Sequence, residues 1–482
     1  MFYLFFLLSF FIIISIYLVL KFVVFKNNDN FKLVIDKILK VLSVVYCFII
    51  FLSILLPDAF SISYDESYIP NSKNIIFAFV RWANYVPFVV IPISVFCKNK
   101  YIKNIAIYFC FLLTIVNLIC FPTFLEFATS SLGKGLNSIP VISQGVKDFL
   151  LNPIFRSIIF AITWIIPLIL SIILFFEDFK NIKLNNIKEF FLNLLIFMAI
   201  FLAVIPIFVP QHLFGYSNIL LKPWSLPHIL WLLFVVIELT TLYLMFRNKD
   251  EEIKYIVCLI LSFALFLQYN EMFSAVSINI ERLPLQLCNI GAYLILASII
   301  FRNQKLFNFS VIVNLTGAVF ALAVPDLEGK GLFYLWNMHF ILEHTNIIII
   351  PILALCFKLF NKIDKNALKD CLAGFSYYFL IVLILGTSFN AIALKTNNNF
   401  YHANYLFMFD AVKAEKVIKG IKALFDIKFK IGSFIVFYPV VQLLIYVVFI
   451  FACVLVYLLI KFVYFVINLI NKKRMTNSKE IS

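Results

Sequence analysis

Two short stretches hold the residue types most able to do chemistry. One is Arg282-Leu283-Pro284-Leu285-Gln286-Leu287-Cys288-Asn289, and the other is His339-Phe340-Ile341-Leu342-Glu343-His344-Thr345-Asn346. A thiol becomes a strong nucleophile once deprotonated, and a nearby imidazole can take that proton. A carboxylate, Glu343 or Asp326, can orient the imidazole. Carboxamides such as Asn390 or Gln286 can polarise a carbonyl oxygen. The chemistry this set suggests is acyl transfer or acyl-ester cleavage, with Cys288 as nucleophile and His344, or secondarily His339, as base. On a regular helix His339, Glu343 and Asn346 share one face, while His344 sits about 140° from His339. The two histidines therefore cannot both aim at one spot. Arg282, Gln286, Asn314, Asp326, Asn390, Asn404 and Tyr405 complete the candidate set as substrate-binding residues. The plainer alternative stays open: polar side chains on membrane helices also bind neighbouring helices to one another, and a cysteine is often only a small buried hydrophobe.

These residues need elements to hold them, and the composition says what kind. The chain has 482 residues, of which 63% are hydrophobic, 18% aromatic and only 13% charged. That balance excludes a soluble domain of this length. About thirteen apolar runs are long enough to cross a bilayer: 2–20, 41–57, 74–97, 104–125, 154–176, 189–210, 226–246, 253–269, 283–301, 306–325, 338–360, 371–394 and 437–460. The expected fold is all-α and polytopic. The first run reads as an anchor rather than a cleaved leader: no Lys or Arg precedes it and no small-residue cleavage pattern follows.

The net charge of +15 is a topology signal rather than a nucleic-acid signal. Basic residues crowd alternate connections: Lys21 to Lys40; Lys98, Lys100 and Lys103; Lys180, Lys183 and Lys188; Arg247, Lys249 and Lys254; Arg302 and Lys305; Lys358 to Lys369; then Lys472, Lys473 and Arg474. The positive-inside rule then places the N-terminus outside and the C-terminus in the cytoplasm of a plasma membrane. The five histidines, His212, His228, His339, His344 and His402, fall near the outer face on this threading. Ionisable side chains at membrane depth are costly and usually functional. One outer connection, 395–433, departs from the pattern with seven lysines. Its segment 410–430 places Ala414, Val417, Ile418, Ile421, Leu424 and Phe425 at helical spacing among lysines, as an interfacial amphipathic segment would. That segment serves either as a guide for anionic lipid or as a plain interfacial brace.

The nine cysteines show no CxxC spacing, so the sequence announces no zinc motif, metal or cofactor. The richness in Phe, Ile, Lys and Asn suggests an AT-rich bacterial genome. Membrane lipids are the expected partners, nucleic acid is not, and the oligomeric state is left open.

Internal self-similarity hints at two six-helix repeats in the same orientation, followed by one C-terminal helix. Phe96-Cys97-Lys98-Asn99-Lys100 resembles Phe301-Arg302-Asn303-Gln304-Lys305. Each is followed one helix later by a proline, Pro122 and Pro325, and Ile165-Ile166-Pro167 resembles Ile349-Ile350-Pro351. This divides the chain at 1–209 and 210–482. In this register His339, Glu343, His344, Asn390 and Cys288 correspond to Phe155, Ile159, Phe160, Ile200 and Ile91. The polar cluster therefore belongs to the second copy.

Residues about 210–460 resemble the YwaF-like integral membrane proteins of low-GC bacteria. Leu283-Pro284-Leu285-Gln286-Leu287-Cys288 is similar to that family's Leu-Pro-Leu-His-Leu-Cys. The stretch from Gly317 to Pro325-Asp326-Leu327 is similar to its glycine helix ending in Pro-Asp-Leu. His344 falls at its Ser-His-Gly, and Asn390 and Asn404-Tyr405-Leu406-Phe407 at its Asn and Asn-Tyr-hydrophobic-Phe elements. The family's distant eukaryotic relatives are membrane acyltransferases that remodel phospholipids through a cysteine. The resemblance thus implies Cys288 as nucleophile and His344 as its partner. The sequence departs from the pattern at Gln286, where the family has a histidine, and at Thr345, where it has a glycine. Glutamine cannot act as a general base at neutral pH.

The sequence therefore supports first an outer-leaflet lipid acyl enzyme. The alternatives are a transporter of a small or lipid-like solute, and a non-catalytic membrane scaffold.

Overall fold

The computed structural model describes residues 2–26, 29–54, 72–137, 142–178, 187–276, 280–325, 327 and 330–480. A helix occupies each of the thirteen apolar runs. Eight helices among the described residues are long and apolar enough to cross a membrane, and Phe10–Val24, Ile165–Glu177 and Leu287–Ile300 are shorter apolar helices. The only strands among those residues are Phe429–Ile431 and Ile435–Phe437, an antiparallel pair. The protein is an all-α polytopic membrane protein.

The helix Leu226–Phe246 shows why lipid is the solvent. Only His228, Trp231 and Val235 are buried in it, at spacings of three and four residues. Leu226, Leu230, Leu233, Phe234, Ile237 and Met245 lie exposed around that stripe. A helix apolar on every side, with one narrow contact face, is stable in hydrocarbon and not in water. Helix ends obey local capping rules where they meet water. Asp364 accepts from Ala367 N at 2.7 Å, and Asn303 accepts from Lys305 N and Leu306 N, each holding otherwise orphan backbone donors.

The chain divides into two compact units. The first comprises Met1–Leu221, Phe263–Ile278 and Gly329–Leu342; the second comprises Lys222–Ser262, Asn279–Glu328 and Glu343–Ser482. The core of the first holds Tyr46, Phe31, Ile91 and Phe208. In it the helix Ile187–Ala203 stops and Val209–Phe214 begins after a short break containing Pro206. The second unit is centred on aromatic stacking: Phe307 lies 3.8 Å from Phe360, ring to ring and nearly parallel, and Phe375 packs against Phe379, Tyr446 and Phe449. The run 306–325 is one helical path with a wide π turn at Ser310–Asn314, all five of whose residues are buried. Such turns redirect the side chains that follow them.

Candidate functional site

The second unit places Cys288 in the first turn of the helix Leu287–Ile300. Gln286 has extended backbone just before it, as an N-cap position requires. Tyr378 donates its hydroxyl to Leu285 O at 2.6 Å, and Asn314, at the end of the π turn, donates Nδ2 to Leu287 O at 2.6 Å. Gly317 brings the next helix close: a Cβ there would lie 3.0 Å from Leu287 Cβ. The backbone around the thiol is thus fixed by groups from two other segments, 306–325 and Lys365–Thr396.

Glu343 and His344 enter from the helix Leu335–Cys356, and both are almost fully buried. The Cys288 sulfur, a Glu343 carboxylate oxygen and a His344 ring nitrogen all lie within 4.8 Å of one another. The thiol donates to Asn289 Oδ1 at 3.2 Å. Trp231 donates its indole N–H to Thr345 Oγ1 at 2.8 Å, which anchors the histidine-bearing helix one residue beyond His344. A thiol, an imidazole and a carboxylate therefore meet in one largely buried place.

The carboxamides expected to touch substrate are engaged with backbone instead. Gln286 donates Nε2 to Asn404 O and accepts from Leu406 N, both at 2.9 Å. Asn390 donates to Ala403 O at 2.8 Å and accepts from Ala403 N at 3.1 Å. Asn404 Oδ1 accepts from Phe409 N and Asp410 N at 3.1 Å each, while its Nδ2 is buried with no acceptor among the described residues. Tyr405 donates its hydroxyl to Ile280 O. Together these bonds hold 403–410, where Leu406 and Phe407 have the left-handed φ values of 53° and 60°. Such backbone is strained for bulky side chains and persists only when its surroundings fix it. Gln286 thus clamps this loop, and Thr345 takes the tryptophan N–H.

Other expected residues lie elsewhere. His339 belongs to the first unit, its ring 6.1 Å from that of Tyr269 and 5.8 Å from that of Trp336. Arg282 sits half-buried in the turn Ile280–Arg282. His228 accepts from Trp224 N at 3.0 Å, one helical turn away in sequence. Asp326 lies outside the described residues.

The amphipathic stretch 410–430 is broken rather than one helix. Asp410 caps Ala411–Val417, then Gly420 turns at φ 85°, and a short 3₁₀ helix, Ile421–Asp426, leads into the strand pair. Ala414, Ile421 and Phe425 are buried, while Ile427, Phe429, Ile431 and Phe434 are exposed beside Lys428 and Lys430. Glu415 dictates the break by accepting from Gly420 N at 2.8 Å and Lys422 N at 2.9 Å.

Sequence reasoning missed a polar cluster in the first unit. Glu271, fully buried, accepts from Tyr85 OH at 3.0 Å and from Ile207 N at 2.6 Å. Gln268 donates to Ala203 O and Ile205 O at 3.2 Å each. These side chains satisfy the backbone freed where Pro206 interrupts a helix. The signal was an intramembrane carboxylate just past the end of the apolar run 253–269.

Residues 223–460 match the model of the TMEM164 family, a membrane protein family. The match falls on the stretch that carries the motif resemblance, and it assigns no acyltransferase chemistry. No curated protein and no solved structure matches the chain.

Proposed function

We propose that this membrane protein transfers or cleaves a lipid acyl group through a covalent thioester on Cys288, at the outer leaflet of the plasma membrane. The observation that carries this reading is the convergence of Cys288, Glu343 and His344 within 4.8 Å inside a frame of apolar helices.

The His344 ring nitrogen takes the thiol proton as sulfur attacks the ester carbonyl, and Glu343 steadies the resulting imidazolium. The tetrahedral intermediate collapses with loss of the alkoxide, which takes the proton back from His344 and leaves as an alcohol. A second alcohol or water then attacks the thioester and regenerates the thiol. Substrate enters sideways from the bilayer.

The test is to incubate the purified full chain with a fluorescent acyl ester lipid and trap the adduct. A hydroxylamine-sensitive label on Cys288 is expected, absent in Cys288→Ser and reduced at least about a hundredfold in rate in His344→Ala. A labelled Cys288→Ser protein, or no adduct on folded wild type with any acyl ester, sinks the reading.

A transport reading has one observation in its favour, the helix interruption at Pro206 with the buried Glu271 beside it. Liposome uptake that is lost in Glu271→Gln while the Cys288→Ser protein transports normally would establish it in place of acyl chemistry.

A further inference from the structure

The convergence of three unlike donors has a second chemical consequence. Thiol sulfur, imidazole nitrogen and carboxylate oxygen are the set that binds zinc-type divalent ions. Around one tetrahedral zinc, such donors lie roughly 3.4–3.6 Å apart, from bond lengths of about 2.0–2.3 Å. Cys288, Glu343 and His344 already sit within 4.8 Å of each other, and two of them are buried. A thiolate and a carboxylate together carry two negative charges, which a divalent cation balances, so the occupied site buries no net charge. Asn289, already at 3.2 Å from the sulfur, is placed to turn its amide and donate to a bound thiolate.

We propose that Cys288, Glu343 and His344 form a zinc site with one open coordination position, and that zinc occupancy switches off the acyl chemistry of the same thiol. The second half rests on the reading given under Proposed function; the first half does not. Binding replaces the S–H bond with an S–Zn bond and releases one proton to solvent: Cys–SH and Zn²⁺ give Cys–S–Zn⁺ and H⁺. A zinc-bound thiolate, its charge drawn to the metal, is a much weaker nucleophile toward an acyl carbonyl, and His344, its nitrogen bound, no longer accepts a proton. Glu343 and His344 are adjacent on one helix, whereas Cys288 is supplied from another. The site therefore exists only in the folded chain, which is why cysteine spacing gives no hint of it.

The experiment uses the chelator-stripped full chain in detergent, titrated with cobalt(II) chloride alone. A thiolate-to-cobalt charge-transfer band should grow to one equivalent and be displaced by zinc chloride. It should vanish in Cys288→Ser, need about tenfold or more cobalt in Glu343→Gln and His344→Ala, and persist in Cys356→Ser, which removes an exposed thiol. No band on folded wild type, or a band surviving Cys288→Ser, overturns the site. Should Cys288→Ser not fold, alkylation of Cys288 in wild type, mapped by mass spectrometry, decides: zinc should slow it about tenfold, and equal rates overturn the site. The acyl trap is then run with and without zinc. Suppression by zinc supports the switch, and equal labelling overturns it. A cobalt band with no acyl label in either state rejects the acyl reading and leaves the zinc site standing.

Discussion

Trp231 donates its indole N–H to the hydroxyl of Thr345 at 2.8 Å, and both side chains are buried. This single bond ties the lipid-facing helix Leu226–Phe246 to the helix that carries Glu343 and His344, next to the imidazole itself. Thr345→Val keeps the shape and strands the indole donor. It should lower stability by about 1–3 kcal/mol, read as a lower melting temperature in detergent, with Thr345→Ser close to wild type. A Trp231→Phe, Thr345→Val double variant should cost less than the two single changes added together. Strict additivity would mean that the bond does not couple the helices.

Gln286 holds the 404–406 backbone from both sides of its amide. In Gln286→Ala, amide exchange at Leu406, Phe409 and Asp410 should rise by an order of magnitude or more, because about 1–3 kcal/mol of local restraint is removed. Exchange within Lys365–Thr396 should not change. Unaltered protection at Leu406 would show that the clamp is not what keeps the loop in its left-handed turn.

Gly386 has no room for a side chain: a Cβ would come 2.4 Å from Phe409 Cε2. Gly386→Ala should therefore destabilise by about 1–3 kcal/mol through overpacking, despite alanine's better helix propensity. Phe409→Leu in the same chain should restore much of the loss. A Gly386→Ala protein as stable as wild type, in a thermal unfolding assay, would contradict this close approach.

The backbone N–H groups of Gly420 and Lys422 hold the Glu415 carboxyl below the usual carboxylate range. A lowered folded value means the turn is favoured while Glu415 is ionised. Its contribution is fully present above the usual value of about 4.3 and fades as pH falls through the lowered one. Amide protection at Gly420 and Lys422 should be flat from neutral pH down to about 5 and then fall, and Glu415→Gln should remove that acid-side dependence. The same acid-side fall in Glu415→Gln would assign it to another group.

The one-dimensional pattern went far for elements and less far for roles. Composition and run length sufficed for an all-α membrane fold, because a bilayer demands long apolar helices whatever their neighbours. Cys288, Glu343 and His344 were legible as reactive types, and the fold brings all three to one place. Gln286 and Asn390 looked like carbonyl-polarising amides, and Asn404 like a substrate contact. They turn out to hold backbone, since a carboxamide serves ligand or main chain equally well and only its neighbours decide. Glu271 was overlooked because it lies past the end of an apolar run. Its purpose is visible only beside the helix break it stabilises, more than sixty residues earlier in sequence.

By itself, then, the sequence determined the solvent, the helices and the inventory of reactive groups, all of which follow from local composition and period. Tertiary structure alone decided which histidine meets the thiol, which amides remain free, and that segments 263–278 and 329–342 cluster with the first unit. Those outcomes depend on contacts between distant segments, whose geometry is set by packing and hydrogen-bond satisfaction across the whole fold rather than by any neighbouring residue.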